Sequence, residues 1–267
     1  MEQITNYPLV SIIIGTKNRC KLLNRAIDSI LQQTYSKIEL VIIDCGSTDD
    51  TEKVVRRFKD SRINYLKLQS DPGRAESLNH GITISKGEYL TFLDDDDEYF
   101  PEKIEMQIQV IINSNLQLHL VSCWIELYDD KNDRSHGFCR KDFEQDSFKT
   151  ALEIMPICGF PSLFVSKFAI SSIGNFTDKV GYPSDWLLVC RLLKKFQIKL
   201  IRKDLVRVHF NHEYEQMSQP SKKDRGYYRR VMNFHIEFLN EFEEDFIKYP
   251  KTSLVHIDTI ISSAGML

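Results

Sequence analysis

Along this chain, short runs of β-branched residues alternate with stretches whose apolar positions recur every three or four residues. Leu9 to Ile14 is one such run and predicts a strand buried on both faces. Gly15-Thr16-Lys17-Asn18-Arg19 breaks it, and Leu23, Ala26, Ile27, Ile30 and Leu31 then share one face of a helix. A second strand, Ile38 to Ile43, ends in Asp44-Cys45-Gly46-Ser47-Thr48, after which Asp49 and Glu52 predict a capping box. A third strand, Ile63 to Leu68, leads through Asp71-Pro72-Gly73 to a helix carrying Ala75, Leu78 and Ile82. The fourth is Tyr89-Leu90-Thr91-Phe92-Leu93, and Pro101 opens a helix with Ile104, Ile108 and Ile111 on one side. Strands alternating with helices predict an α/β fold: βαβ units and a Rossmann-like, mainly parallel sheet flanked by helices.

The second half is less regular. Leu118 to Leu127 reads as a strand and Asp129 to Asp133 as a polar turn; Phe164-Val165, Ile198 to Ile201 and Val206 to Phe210 read as short strands. A helix is expected over Asp185 to Phe196, and one long helix over Ser221 to Phe246 as a C-terminal helical extension. That helix begins basic (Lys222, Lys223, Arg225, Arg229, Arg230) and ends acidic, with Val231, Phe234, Phe238 and Phe242 on its apolar face. A basic amphipathic stretch can lie on an anionic membrane. The apolar face suffices for docking on the rest of the protein and the acidic half opposes anionic lipid, so packing is the favoured expectation.

Composition narrows the class. The chain has 267 residues, 42% apolar and 27% charged, with a formal net charge of −3. These are ordinary values for a soluble globular protein, and nothing in them points to nucleic acid. Six scattered cysteines without CxxC spacing read as reduced thiols of a cytoplasmic protein. No signal-peptide pattern and no bilayer-length apolar stretch is seen.

The chemistry concentrates in Asp94-Asp95-Asp96-Asp97, directly after the fourth strand. Adjacent carboxylates repel unless water or a cation compensates them. The C-terminal edge of an open α/β sheet is where ligands bind, and a hard divalent cation there can bridge protein to phosphate. A solvated acidic loop is the competing reading. An EF-hand is excluded, because Tyr99 stands where its glycine is needed and Pro101 interrupts the loop.

Five segments, taken in order, resemble family 2 glycosyltransferases of the GT-A fold. They are Val10-Ser11-Ile12-Ile13-Ile14 with Thr16-Lys17-Asn18-Arg19; Asp44-Cys45-Gly46-Ser47-Thr48-Asp49-Asp50-Thr51; Leu78-Asn79-His80-Gly81-Ile82; Gly87-Glu88-Tyr89 with Phe92-Leu93 and the acid cluster, similar to the DXD region; and Ile173-Gly174-Asn175-Phe176 with Ser184-Asp185-Trp186. The resemblance spans residues 8 to 215. It implies a nucleotide-sugar-binding half (1–125), an acceptor-binding half of the same domain (126–215) and a helical extension (216–267).

The resemblance also implies an inverting, metal-dependent sugar transferase. Asp96 and Asp97 would hold Mn²⁺ or Mg²⁺ on the donor diphosphate, with His212 a candidate third ligand after a strand. Gly15, Thr16, Lys17, Asn18, Arg19, Asp44, Cys45, Gly46, Ser47, Arg74, Asn79, Asp95 and Asp96 would line the donor. Asp185 would be the general base, the alternative being a helix cap. A UDP-sugar is the first donor expected, although Cys45 replaces an acid that can hydrogen-bond uracil. The acceptor would be a glycan, lipid-linked or protein-linked, in bacterial surface glycan or glycoprotein assembly. Homo-oligomerisation and peripheral contact with the inner face of the membrane stay open. Two other classes compete: a nucleotidyltransferase, and a non-catalytic sugar- or nucleotide-binding module.

Overall fold

A computed structural model describes residues 7–114, 117–143, 146–177, 184–214 and 225–266. The first strand, β1 (Val10–Thr16), lies parallel between β2 (Ile38–Asp44) and β4 (Tyr89–Phe92), with β3 (Ile63–Lys67) outside β2. Side-chain alternation divides two cores. Ile13, Val41, Ile43, Leu90 and Phe92 face one way, toward α3 (Arg74–Ile84). Ile12, Ile14, Leu40, Ile42 and Tyr89 face the other, toward α1 (Cys20–Leu31) and α4 (Lys103–Asn113). Burial on both faces explains the unbroken β-branched runs. The short α2 (Thr51–Arg57) follows β2.

Strand order reverses at β1: β2 and β3 are laid down on one side and β4 on the other. Such a switch opens a crevice at the carboxyl ends of the strands. Thr16, Asp44 and the residues after Phe92 all sit there.

Beyond β4 the sheet turns mixed. It continues through β8 (Phe164–Ser166), β6 (Leu120–Asp129), β9 (Ile198–Phe210) and the two-residue β5 (Glu98–Tyr99), while β7 (Arg134–Cys139) pairs with β6. The β4–β8, β6–β8, β6–β7 and β5–β9 pairs are antiparallel and β6–β9 is parallel. Residues 125 and 126 both lie within β6, so the two halves read from sequence share a strand.

Three local expectations are corrected. The two short strands expected around Ile201 and Val206 are one strand, β9; polar Arg202-Lys203-Asp204 breaks the apolar pattern where the register with β6 shifts. The capping box does not form: Asp49 accepts the Thr51 N–H at 3.1 Å, and Glu52 pairs with Arg56 at 2.8 Å. The long C-terminal helix is two, α8 (Arg225–Glu241) and α9 (Glu243–Lys248); residues 221–224 lie outside the described set. Phe242 leaves the helical region at φ −109°, ψ 26°, and Glu243-Glu244-Asp245 begin anew where a helix N-terminus favours acids.

The remaining helices are α5 (Ser147–Ala151), α6 (Lys167–Ile173), α7 (Ser184–Lys195) and α10 (Leu254–Ala264). Phe234, Phe238, Phe242 and Phe246 are buried in the same core as α3 and α7. Arg191 pairs with Glu241, and Lys194 with Asp245 at 2.7 Å. The described part of the extension therefore packs on the rest of the protein, as expected. Among the described residues no helix is long and apolar enough to cross a membrane.

Candidate active site

The acid cluster forms a tight turn in which the Asp97 N–H donates to the Asp94 carbonyl at 3.1 Å. Asp95, 5% exposed, accepts the Thr16 hydroxyl at 2.7 Å and Arg19 Nη1 at 2.9 Å. Arg19 also reaches Asp96 Oδ2 at 3.1 Å, and His212 Nε2 stands 3.1 Å from that same oxygen. Asp97 accepts the backbone N–H of His209 at 3.0 Å, and Arg74 Nη2 donates to Asp94 at 3.1 Å.

Arg19, Arg74 and Arg25 do not fully offset four carboxylates of which Asp95, Asp96 and Asp97 are buried. Burial pushes the Asp95 carboxyl up to about 6, with Arg19 opposing and Asp96 adding to the rise. Asp96 is raised by burial and then by Asp94, against Arg19 and His212. Asp97 is raised further, by burial and then by Asp96 and Asp94. A site that penalises its own charges in this way has a standing demand for positive charge.

The loops after β1 and β2 are laced together. Asn18, at φ 54°, donates its N–H to Ser47 Oγ at 2.9 Å and accepts the Thr48 N–H at 2.8 Å. Gly46 sits at φ 77°, and a Cβ there would come within 3.3 Å of the Ser70 backbone, so glycine is needed on both counts. Asp44 is fully buried, accepting the Ser47 N–H at 2.7 Å and the Tyr65 hydroxyl at 2.5 Å. The Cys45 N–H donates to the Thr16 carbonyl at 2.9 Å, and burial pushes its thiol up, away from thiolate chemistry. A Cβ on Gly15 would stand 3.0 Å from Ser77 Oγ, which fixes how closely α3 approaches β1. Lys17 pairs with Asp71 at 3.0 Å in the open, a contact that contributes little to stability.

Across the cleft, Asp185 lies half-buried in the first turn of α7 and accepts the Trp186 N–H at 3.0 Å. Burial raises its carboxyl, Arg74 pulls against that rise, and Asp94 adds to it. Arg74 thus faces a carboxylate from each half of the chain. Its charge is held against burial by Asp94 and Asp185. The Asn79 amide bonds the N–H and C=O of Phe176, both at 3.1 Å, tying α3 to the segment that precedes α7.

The two histidines expected after a strand differ: His209 lies within β9 and His212 just beyond it. His209 is buried between Asp130 (2.6 Å) and Glu98 (2.7 Å), a scaffold position, whereas His212 meets Asp96. Among the described residues no three His, Cys, Asp or Glu side chains converge on a common metal position. The pair Asp96 and His212 nevertheless fits a divalent cation. The carboxylate oxygen suits Mn²⁺ or Mg²⁺, the imidazole nitrogen favours the transition ion over Mg²⁺, and such ions often take remaining ligands from substrate phosphate.

Several contributors escape sequence reading. Arg25 holds the Asp96 carbonyl at 2.6 Å and pairs with Asp130 at 3.3 Å, and Tyr65 fixes Asp44. Arg25 lies in the middle of α1 and gives no signal of its own. Tyr65 gives none.

Comparison with known proteins agrees with this geometry. Residues 11–171 match the family described as Glycosyl transferase family 2. An uncharacterised glycosyltransferase of Rickettsia typhi is 32% identical over 250 residues, 91% of this chain and 72% of the relative. A glucosyltransferase of Escherichia coli, WfaP, is 38% identical over 118 residues, covering 44% of this chain and 47% of that protein. WfaP's name describes transfer from UDP-Glc to α-D-GlcNAc-diphosphoundecaprenol. Among solved structures, TarS 1–349 of S. aureus with UDP-GlcNAc aligns at TM-score 0.69 and 18% identity, over 86% of this chain and 66% of that one. The mannosyltransferase PcManGT of Pyrobaculum calidifontis, solved with GDP-Man and Mn²⁺, aligns at 0.64 and 18%, over 98% and 74%. At that identity the likeness concerns the fold. The sequence matches carry the family, and this chain belongs to glycosyltransferase family 2.

Proposed function

We propose that the chain transfers a sugar from a nucleotide-sugar donor to an acceptor hydroxyl with inversion of the anomeric configuration. The observation that carries this reading is Arg74, flanked by Asp94 of the acid loop and Asp185 of the opposite half. It supports the reading because a cation that can offset diphosphate charge stands beside a carboxylate that can take a proton. Asp185, with its pKa raised, takes the proton of the attacking hydroxyl. Attack from the face opposite the departing diphosphate inverts the centre, and one base suffices.

Asp44, Cys45, Gly46 and Ser47, with Gly15 to Asn18, form the wall for base and ribose. Arg19 and Arg74 offset phosphate charge. Asp96, Asp97 and His212 are the residues that would hold Mn²⁺ or Mg²⁺, with Asp95 keeping Arg19 in place. The ion, when bound, supplies Lewis-acid stabilisation of the leaving diphosphate. Asn79 positions rather than binds. In this reading, 1–125 is the donor half, 126–215 the acceptor half and 216–267 a packing extension.

A UDP-sugar remains the first donor to try, supported by UDP-Glc in the name of WfaP and UDP-GlcNAc in the TarS complex. GDP-Man is the second, from the PcManGT complex. We place the reaction in the cytoplasm, on a lipid-linked glycan acceptor of bacterial surface polysaccharide assembly. Nucleoside-diphosphate release from these donors, with and without Mn²⁺, tests the reading. Pyrophosphate release from a nucleoside triphosphate and a sugar phosphate would instead indicate a nucleotidyltransferase, and no turnover with tight donor binding a non-catalytic module.

A further inference from the structure

Trp186, next to Asp185, is enclosed by the C-terminal helices. Its indole N–H donates to the Ala151 carbonyl at 2.8 Å. Its ring lies 5.6 Å from Phe234, 5.2 Å from Phe238 and 5.5 Å from His256. His256 stacks on Phe238 with ring centroids 4.6 Å apart and planes at 17°. It is fully buried. Its Nε2 lies 2.7 Å from the Leu152 carbonyl, and its Nδ1 lies 2.7 Å from Nδ1 of His235.

The proton positions follow from these partners. A carbonyl only accepts, so His256 Nε2 carries hydrogen; in the neutral ring Nδ1 is then bare and accepts from His235 Nδ1–H. Burial lowers both pKa values, that of His235 to about 4 with His256 adding to the effect. Two consecutive carbonyls at the end of α5, those of Ala151 and Leu152, thus receive Trp186 and His256 side by side. A box built from α5, α8 and α10 closes on the residue that follows the base.

We propose that His256 is a positioning residue for Asp185, acting through Trp186, and that the C-terminal helices hold the first turn of α7 at its working place in the cleft. The proposal rests on the reading of Asp185 as the base. Removing the imidazole should let the indole shift and with it the Asp185 backbone, while the donor wall on the far side keeps its contacts. The expected signature is a fall in kcat without a matching change in donor KM.

Two measurements test this. In a Trp124→Phe background Trp186 is the single tryptophan, so its emission reports the box without any turnover. His256→Ala should shift that emission to the red and increase acrylamide quenching. His256→Gln, which keeps an N–H for Leu152 and an acceptor for His235, should not. In steady-state assays of the otherwise unaltered chain, His256→Ala should lower kcat about tenfold or more with donor KM within about twofold, and His256→Gln should restore most of it. Should His256→Ala fail to fold, His235→Phe removes the donated hydrogen bond while keeping a ring, and should lower kcat about threefold.

Unchanged emission in His256→Ala overturns the box. Shifted emission with unchanged kcat overturns the positioning role when Asp185→Asn is itself inactive. If Asp185→Asn keeps full turnover, the reading of the base fails and the positioning role falls with it. The emission arm then records the box as packing alone.

Discussion

Two clusters of buried charge flank the short strand β4, and they are built on opposite principles. At its carboxyl end, Asp95, Asp96 and Asp97 are each less than a tenth exposed and crowd carboxylates against one another. On its inner face Lys103, fully buried, donates to Thr91 Oγ1 at 3.1 Å and Gln107 Oε1 at 2.9 Å, and stands 4.0 Å from the Tyr99 ring centroid. Gln107 passes the network on to the Ser162 carbonyl at 3.0 Å. The lysine's partners are neutral, convergent and satisfied, which makes a scaffold. The acids are like-charged and under-compensated, so a proton or a bound cation relieves them. Burial alone does not separate the two; the sign and sufficiency of the partners do.

Neutralising either cluster should therefore have opposite consequences. The largest effect is expected at the acid loop. Asp96→Ala and Asp97→Ala should lower transfer by about a thousandfold or more, the loss of several kcal/mol of Lewis-acid and charge stabilisation. Removing one of several repelling carboxylates should leave the melting temperature without ligand unchanged or raised. A lower melting temperature with near-normal turnover would break the contrast.

Next comes Asp185→Asn, expected to cost at least about a hundredfold in kcat while donor affinity, read by calorimetry, stays near wild type. Retention of the donor's anomeric configuration in the product, followed by proton NMR, would contradict direct displacement independently.

At the scaffold the effect moves to stability. Lys103→Ala orphans buried acceptors and leaves a cavity, so chemical denaturation should show a loss of about 2–4 kcal/mol. Turnover measured well below the melting temperature should be unaffected. A large kcat effect there would move Lys103 into the catalytic apparatus.

The smallest effect is a pH signature. Burial pushes Lys103 down to about 8 from its usual 10.5. Between those values the unfolded chain binds more protons than the folded one, so this group makes stability rise with pH, at most by about 1.4 kcal/mol per unit. Lys103→Met should remove that rise. An identical slope in the variant would assign it elsewhere.

How legible each cluster is in sequence follows from the same physics. The acid loop announces itself, since four adjacent aspartates after Tyr89-Leu90-Thr91-Phe92-Leu93 have few structural uses. The parallel strands β1 to β4 are equally plain, because burial on both faces imposes continuous β-branched runs. The Lys103 network is invisible, since one lysine in the first turn of an amphipathic helix reads as exposed. β7 is missed because its residues are largely exposed and carry no apolar alternation. The break at Phe242 is missed because its side chain keeps helical spacing with Phe238 while its backbone does not. His235 and His256, 21 residues apart, meet only through the packing of α8 against α10.

The most direct test of the central claim measures nucleoside-diphosphate release from UDP-Glc, UDP-GlcNAc and GDP-Man by the wild-type chain and Asp96→Asn, in Mn²⁺ and in EDTA. The account predicts Mn²⁺-dependent release from at least one donor by the wild-type chain, abolished by EDTA and absent from Asp96→Asn under both conditions. Undiminished release in EDTA, or by Asp96→Asn, would contradict it.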